Sequence, residues 1–250
     1  MIEWAVLVNN ISKIRMNESN DSKSKVVVLT GAGISQESGI KTFRDANGLW
    51  EGHDIMQVAS PEGWHKNPNL VLEFYNKRRA QLQEVKPNAA HYALVELAKF
   101  FDLQVVTQNV DDLHERAGSK RVLHLHGALK KVRSSKGSEK VYDWSGDLKI
   151  GDVCEEGNQL RPHIVWFGEA VPMIQKAIEY CKGADVMIII GTSMQVYPAA
   201  GLIDYVSPTA TKYYIDPFPA AVQTNGLQVI SEKASHAVPR LVNELIHSKI

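Results

Sequence analysis

The run Val26-Val27-Val28-Leu29 passes directly into Thr30-Gly31-Ala32-Gly33, and this junction limits what the chain can fold into more than any overall composition does. Four successive apolar residues, three of them β-branched, are too few for a typical helix and too uniformly apolar for a strand with one wet face. They suit a parallel strand covered on both sides. Gly31 and Gly33 lack the Cβ atoms that would hold a pyrophosphate away from the backbone, and a helix beginning near Ser35 would direct its free N–H groups and positive dipole end at such an anion. The match to a dinucleotide fingerprint is partial, because Gln36 stands where a third glycine or alanine belongs. Two readings therefore stay open for the glycines alone, a nucleotide loop and an ordinary tight turn. The residues that follow favour the first. Phe43, Arg44, Asp45, Asn47, Gly48 and Trp50 gather aromatic, charged and flexible side chains with little apolar periodicity, as a loop folding over a ligand would.

Five segments together carry a family likeness: GAGIS…ESGI…TFRDANGLW, then TQNVDDLHERAG from Thr107 to Gly118, HLHG from His124 to Gly127, IVWFGEAVP from Ile164 to Pro172, and GTS from Gly191 to Ser193. In order and spacing, from about Val26 to Ala234, the chain resembles the sirtuins. The resemblance implies an NAD-dependent enzyme that removes acyl groups from protein lysines and consumes NAD as a co-substrate. It also implies an α/β fold, a Rossmann-like doubly wound parallel sheet built from 24–50, 88–128 and 163–250. A smaller domain would combine a helical insert at 51–87 with a zinc-module-like insert at 129–162, and 1–23 would form an N-terminal extension.

The coarse pattern agrees with that division. Ile2 to Ile14 offers a short helix before a polar linker. The pattern is helical from Ile55 to Glu84, where Pro87 stops the run, and Asn88 starts a second helix through Phe100. Leu103–Thr107, Val122–Gly127, Ile164–Phe167, Ala184–Ile190 and Tyr213–Asp216 read as strands, and 237–246 as a closing helix. Lys plus Arg and Asp plus Glu both total 28, so zero formal charge gives no general attraction to nucleic acid or anionic membrane. No stretch approaches the length of a membrane span and the N-terminus lacks a signal-peptide pattern, which makes the cytoplasm the expected location. The two cysteines, Cys154 and Cys181, are too few for a disulfide framework, and Cys181 reads as packing at a helix end.

Gln108, Asn109 and Asp111 fall at the carboxyl end of a strand, where open α/β sheets place ligands. As residue types they could hold a ribose or a carboxamide, but taken alone they read more readily as turn residues. His124 and His126, two apart, would share one strand face and suggest a metal pair, against hydrogen-bonded core histidines; no nearby acid or thiol strengthens the metal reading. The resemblance resolves both cases. It implies that His126 is the catalytic base, with Asn109 beside it in catalysis, and gives His124 no chemical role. NAD would be held by Gly31, Ala32, Gly33, Phe43, Arg44, Trp50, Gln108, Asn109, Asp111, Gly191, Thr192, Ser193, Asp216 and Ala234. Asp216 before Pro217 serves equally as a turn residue. Val165, Trp166, Phe167, Gly168 and Glu169 would pair with the backbone of an acylated peptide by strand addition.

Two departures refine the expectation. Most sirtuins carry two Cys-x-x-Cys pairs that hold zinc, whereas the corresponding positions here are Ser134 with Gly137 and Cys154 with Gly157, so no metal is expected. The insert would instead fold on Val141, Tyr142, Trp144 and Leu148. Tyr75 and Arg78, three apart on one helix face, match the Tyr-x-x-Arg feature of sirtuins that prefer succinyl- or malonyl-lysine, with Lys77 and Arg79 on other faces as natural controls. ADP-ribosyl transfer to protein and a non-catalytic nucleotide sensor are the alternatives from the same fold.

Overall fold

The computed structural model describes residues 23–40, 49–50, 52–137 and 140–249. Phe43, Arg44 and the N-terminal helix expected over Ile2–Ile14 lie outside the described residues, as does the side chain of Trp50, whose backbone forms a short strand.

Six parallel strands make the main sheet: β1 (Lys25–Thr30), β4 (Asp102–Thr107), β5 (Val122–His124), β9 (Val186–Ile190), β10 (Thr211–Ile215) and β11 (Leu227–Ile230). Their spatial order is β11-β10-β9-β1-β4-β5, so the chain winds outward in one direction from β1 and then in the other. The apolar run of β1 is covered on both faces, as its composition requires. Val26 and Val28 enter one core, and Val27 and Leu29 enter the opposite one. In β9, Val186, Ile188 and Ile190 alternate in the same way with Met187 and Ile189. Helices α5 (Ala89–Phe100) and α8 (Ala234–Lys249) cover the first face through Leu94, Leu97, Val238 and Leu241. The second is covered by α7 (Ile174–Lys182) and a 3-10 helix (Ala199–Tyr205), through Ala177, Cys181, Leu202 and Ile203. Burial in that core pushes the Cys181 thiol up to about 12, consistent with packing rather than reactivity.

The helical run expected from Ile55 to Glu84 is divided into α2 (Ile55–Val58), α3 (Pro61–Lys66) and α4 (Pro68–Glu84). Ser60 and Asn67 cap the second and third of these with side-chain oxygens, each followed by proline at the first helical position. Beside them lies a three-stranded antiparallel sheet, β7-β6-β8, made of Val141–Asp143, Gly127–Ser134 and Leu160–Ile164. The insert is thus more than a polar surface excursion. It packs Val132, Leu148, Cys154 and Leu160 with Leu72 of α4, while Tyr142 and Trp144 lie at the margin and Val141 is exposed, which corrects the expected miniature core.

Three further expectations change. The helix after the glycines, α1 (Gly33–Gln36), is a single turn, with no length to build a dipole. The strand expected over Ile164–Phe167 ends at Ile164, leaving Val165–Phe167 as a connecting segment. Arg79 is buried and cannot serve as a surface control; its Nε donates to the Leu129 carbonyl at 2.9 Å.

Candidate active site

Because the winding reverses at β1, the carboxyl ends of β1 and β9 diverge into separate loops, the position where open sheets bind ligands. Those loops are Gly31–Gly33 and Gly191–Ser193. They touch each other first. The Gly31 N–H donates to the Ile190 carbonyl at 3.0 Å and the Gly33 N–H to the Gly191 carbonyl at 2.8 Å. A Cβ on Gly33 would lie 2.7 Å from the Gly191 Cα, and Gly191 itself has φ of 61°. These glycines are therefore required by contact between the two loops. Both of their N–H groups are spent inside the protein, on the Ile190 and Gly191 carbonyls.

Gln108, Asn109 and Asp111 follow β4 on the other side of β1. The Gln108 side-chain amide donates to Thr192 Oγ1 at 3.1 Å, which ties this loop to the one after β9. Asn109 is buried, and its amide donates to the Gly31 carbonyl and to Ser35 Oγ. Asp111 is also buried. Burial raises its carboxyl above the usual range, against the Leu113 N–H and the Ser35 hydroxyl, which favour the ionised form. Ser35, absent from the expected site, is thus the hub of this group. Beneath it, Thr30 and Thr107, paired in register at the strand ends, join hydroxyls at 2.8 Å, and Thr30 Oγ1 meets His114 Nε2 at 3.0 Å. A polar residue closing each of two apolar strands was the available signal.

The pKa values of the two histidines are shifted in opposite directions. His124 Nδ1 meets the Asn109 carbonyl at 2.9 Å and its Nε2 meets Glu115 Oε1 at 2.8 Å. Both partners only accept, so both ring nitrogens carry hydrogen. Burial alone would lower its pKa, but the Glu115 carboxylate, the Asn109 carbonyl and Asp111 together hold it above the ordinary value. His126 Nδ1 donates to the Gln108 carbonyl at 3.1 Å. Burial pushes this ring below the ordinary histidine value, so at neutral pH it carries one proton, on Nδ1, and presents Nε2 as a lone pair. Gly127 follows because β6 crosses β8 closely there; a Cβ would sit 1.9 Å from the His163 carbonyl. The His126 carbonyl in turn accepts the Val165 N–H at 2.9 Å, joining the histidine to the 165–169 segment.

That segment is already tied internally. Trp166 N–H donates to Glu169 Oε2, Phe167 N–H to the Ala59 carbonyl and Glu169 N–H to the Trp166 carbonyl. The Trp166 ring is core, whereas Phe167 and Gly168 are exposed. Tyr75 and Arg78 both lie buried on α4, and Arg78 Nη1 donates to Gln81 Oε1. Asp216 is buried at the end of β10 and accepts the Phe218 N–H, the geometry of a turn. Ala234, the first residue of α8, packs into the main core.

A neutral imidazole, a buried carboxyl, two side-chain amides and the Thr192 hydroxyl thus gather at the switch point, with Ser193 next in the same loop, a donor set suited to a ribose and a carboxamide. The zinc that most sirtuins carry does not fit the residues present. Gly137 and Gly157 have no side chain to offer, the Ser134 hydroxyl is bonded to the Cys154 thiol, and among the described residues no cluster of three or more His, Cys, Asp or Glu could hold a metal.

Comparison with known proteins agrees with this geometry. Residues 31–198 match the model of the Sir2 family. A protein of Helicobacter pylori named NAD-dependent protein deacylase is 60% identical over 222 residues, covering 88% of this chain and 97% of its own. One of the same name from Bacteroides thetaiotaomicron is 52% identical, with 88% and 97% covered. Among solved structures, a Sir2 homologue–NAD complex superposes with a TM-score of 0.81 at 34% identity, covering 98% of this chain and 94% of that one. A Sir2 homologue–ADP ribose complex gives 0.82 at 36%, with 91% and 94% covered.

Proposed function

The chain belongs to the Sir2 family and is an NAD-dependent protein deacylase, and from that premise we propose that His126 is its general base and that acylated lysine on a peptide is its second substrate. The observation that carries the assignment is the Gln108 carbonyl on His126 Nδ1, which leaves Nε2 as the basic atom. A sirtuin complex with a peptide and NAD, 27% identical to this chain, supports a peptide substrate.

Bound NAD supplies the ADP-ribosyl acceptor for the acyl group, with nicotinamide as the leaving group. The residues around it bind, orient and move one proton. Thr192, Ser193, Gln108 and Asp111 are assigned to hydroxyls and amide of the co-substrate, and Asn109 to its ribose, with Ser35 holding Asn109 in place. His126 Nε2 takes a proton from a ribose hydroxyl, so that the oxygen can attack the acyl carbon. A neutral ring is required for that step, and burial provides it. The exposed edge at Phe167 and Gly168 is assigned to the peptide backbone, since strand addition accepts many sequences.

Tyr75 and Arg78 are assigned to the acyl group. A guanidinium and a protonated phenol suit a carboxylate at the far end of the acyl chain, as in succinyl- or malonyl-lysine. Burial keeps the Tyr75 phenol protonated, well above its usual range.

The decisive experiment follows nicotinamide release from NAD and an acylated peptide by wild type and His126→Ala. The variant is expected to lose roughly 100- to 10,000-fold in turnover while still binding NAD. Near-normal turnover would remove His126 from the chemistry.

A further inference from the structure

Arg161, the second residue of β8, has no part in the assignments above, yet its side chain is only 8% exposed. Its Nη1 donates to Glu169 Oε1 at 2.7 Å and its Nη2 to Glu169 Oε2 at 3.0 Å, a forked pair, and Nη2 also reaches the Ile164 carbonyl at 2.9 Å. The guanidinium carbon lies 3.3 Å from the centre of the Trp166 ring. Each of these two partners holds something else. Glu169 Oε2 accepts the Trp166 backbone N–H at 2.8 Å. At the far edge of the same ring, Trp166 Nε1 donates to the Tyr75 hydroxyl at 3.0 Å.

A buried ion pair is weak evidence of a stability role, because desolvation offsets much of its attraction; what it does well is fix one arrangement. Here the arrangement joins two recognition elements. We propose that Arg161 is a positioning residue: through Glu169 it sets the backbone of Val165–Glu169 that meets the peptide, and through the Trp166 ring it sets how the Tyr75 hydroxyl is presented to the acyl group. The phenol oxygen accepts from the indole, which occupies one of its lone-pair directions and so fixes where the hydroxyl lies. The second half rests on the assignment of Tyr75 and Arg78 to the acyl group; the first half does not.

The test measures kcat, KM for NAD, KM for succinyl- and acetyl-lysine peptides of one sequence, and the unfolding midpoint, for wild type, Arg161→Lys, Glu169→Gln, Trp166→Phe and Arg78→Met. Lysine keeps the charge but cannot fork or stack. Arg161→Lys and Glu169→Gln are expected to raise KM for both peptides about 10-fold or more, with KM for NAD within about twofold. Trp166→Phe keeps an aromatic ring under the guanidinium and deletes the bond to Tyr75, at the cost of part of the buried ring that packs on Trp64, which the unfolding midpoint reports. It is expected to lower the succinyl-to-acetyl efficiency ratio about 3- to 10-fold at nearly constant peptide KM for acetyl-lysine. Should KM for NAD and for both peptides rise together as the unfolding midpoint drops, Arg161 is merely structural and the proposal is wrong. A Trp166→Phe ratio equal to wild type, with Arg78→Met shifting it, overturns the Tyr75 branch. If Arg78→Met leaves the ratio unchanged, the acyl assignment itself fails and takes that branch with it, while peptide KM still decides the Glu169 branch.

Discussion

At the scale of single residues, the site works by giving two nearby histidines different partners. His124 lies between a carbonyl and a carboxylate, which hold its pKa above the ordinary value, whereas His126 lies on a carbonyl and burial holds it below. If His126 is the base, as proposed, its ring must be unprotonated, and burial shifts its pKa downward. The acid limb of the kcat/KM profile should therefore fall below the ordinary histidine value of about 6.5, with activity flat above it. A limb centred above that value would mean that a different group controls the reaction. His126 and Gly127 were legible as neighbours in the sequence, and their pairing has a physical reason, since β6 cannot cross β8 there with a side chain in the way. Which ring nitrogen carries the proton was not legible, because it depends on a backbone carbonyl of another segment.

At the scale of elements, α4 carries two unlike tasks on successive turns. Asn76 exchanges two hydrogen bonds with the backbone of Leu148, and Arg79 reaches the Leu129 and Gly146 carbonyls, so this part of the helix grips the insert. Tyr75 and Arg78 lie on the adjoining strip of the helix, Tyr75 in the core shared with Trp166 and Arg78 buried beside it. If the latter pair reads the acyl group, Arg78→Met should reduce the preference for succinyl- over acetyl-lysine by about 10- to 100-fold, the equivalent of one charge-assisted contact of about 1.5–3 kcal/mol. Competition between the two peptides measures it directly. The exposed Lys77, paired with Glu73 on the surface, is the appropriate control, and Lys77→Met should leave the ratio unchanged.

At the scale of the whole molecule, stability should depend on acid in a defined window. His91 is fully buried between α5 and the β4 loop, 5.0 Å ring to ring from His114, and burial takes it down to about 4. In the unfolded chain it would titrate near 6.5, so the unfolded state takes up the proton first as pH falls. Its contribution is fully present above pH 6.5 and is lost progressively towards pH 4, on the order of 3 kcal/mol for His91 alone. His114 is shifted in the same direction by burial and by His91. Denaturant unfolding followed from pH 8 to pH 4 measures the loss, and a flat profile would mean that these rings are solvated. In the insert, the Ser134 hydroxyl and the Glu156 and Asn158 N–H groups all bond the Cys154 thiol. Hydrogen bonds and the Leu72, Val132, Leu148 and Leu160 packing then hold the fold, so a zinc chelator should change neither unfolding midpoint nor activity. One zinc per chain by elemental analysis would show that ligands outside this set exist. Among the described residues no helix is long and apolar enough to cross a membrane.

What the sequence determined by itself is whatever depends on residues close together along the chain. The all-apolar runs of β1 and β9 could be buried only on both faces, which required a parallel sheet with helices above and below. The spacing of the five motifs carried the family, and through it the enzyme class and NAD. Tertiary structure decided the rest, for one physical reason: the partner that gives a residue its role is distant in sequence. Gly31 and Gly33 read as a ligand cradle, but their nearest obligation is to Gly191. Trp166 reads as part of a substrate strand, but its ring is core, and only the folded chain places it between Arg161 and Tyr75. The insert reads as polar surface because only every second or third residue of β6 is buried, and those positions find their apolar partners on α4 and in the loops around Leu148 and Cys154.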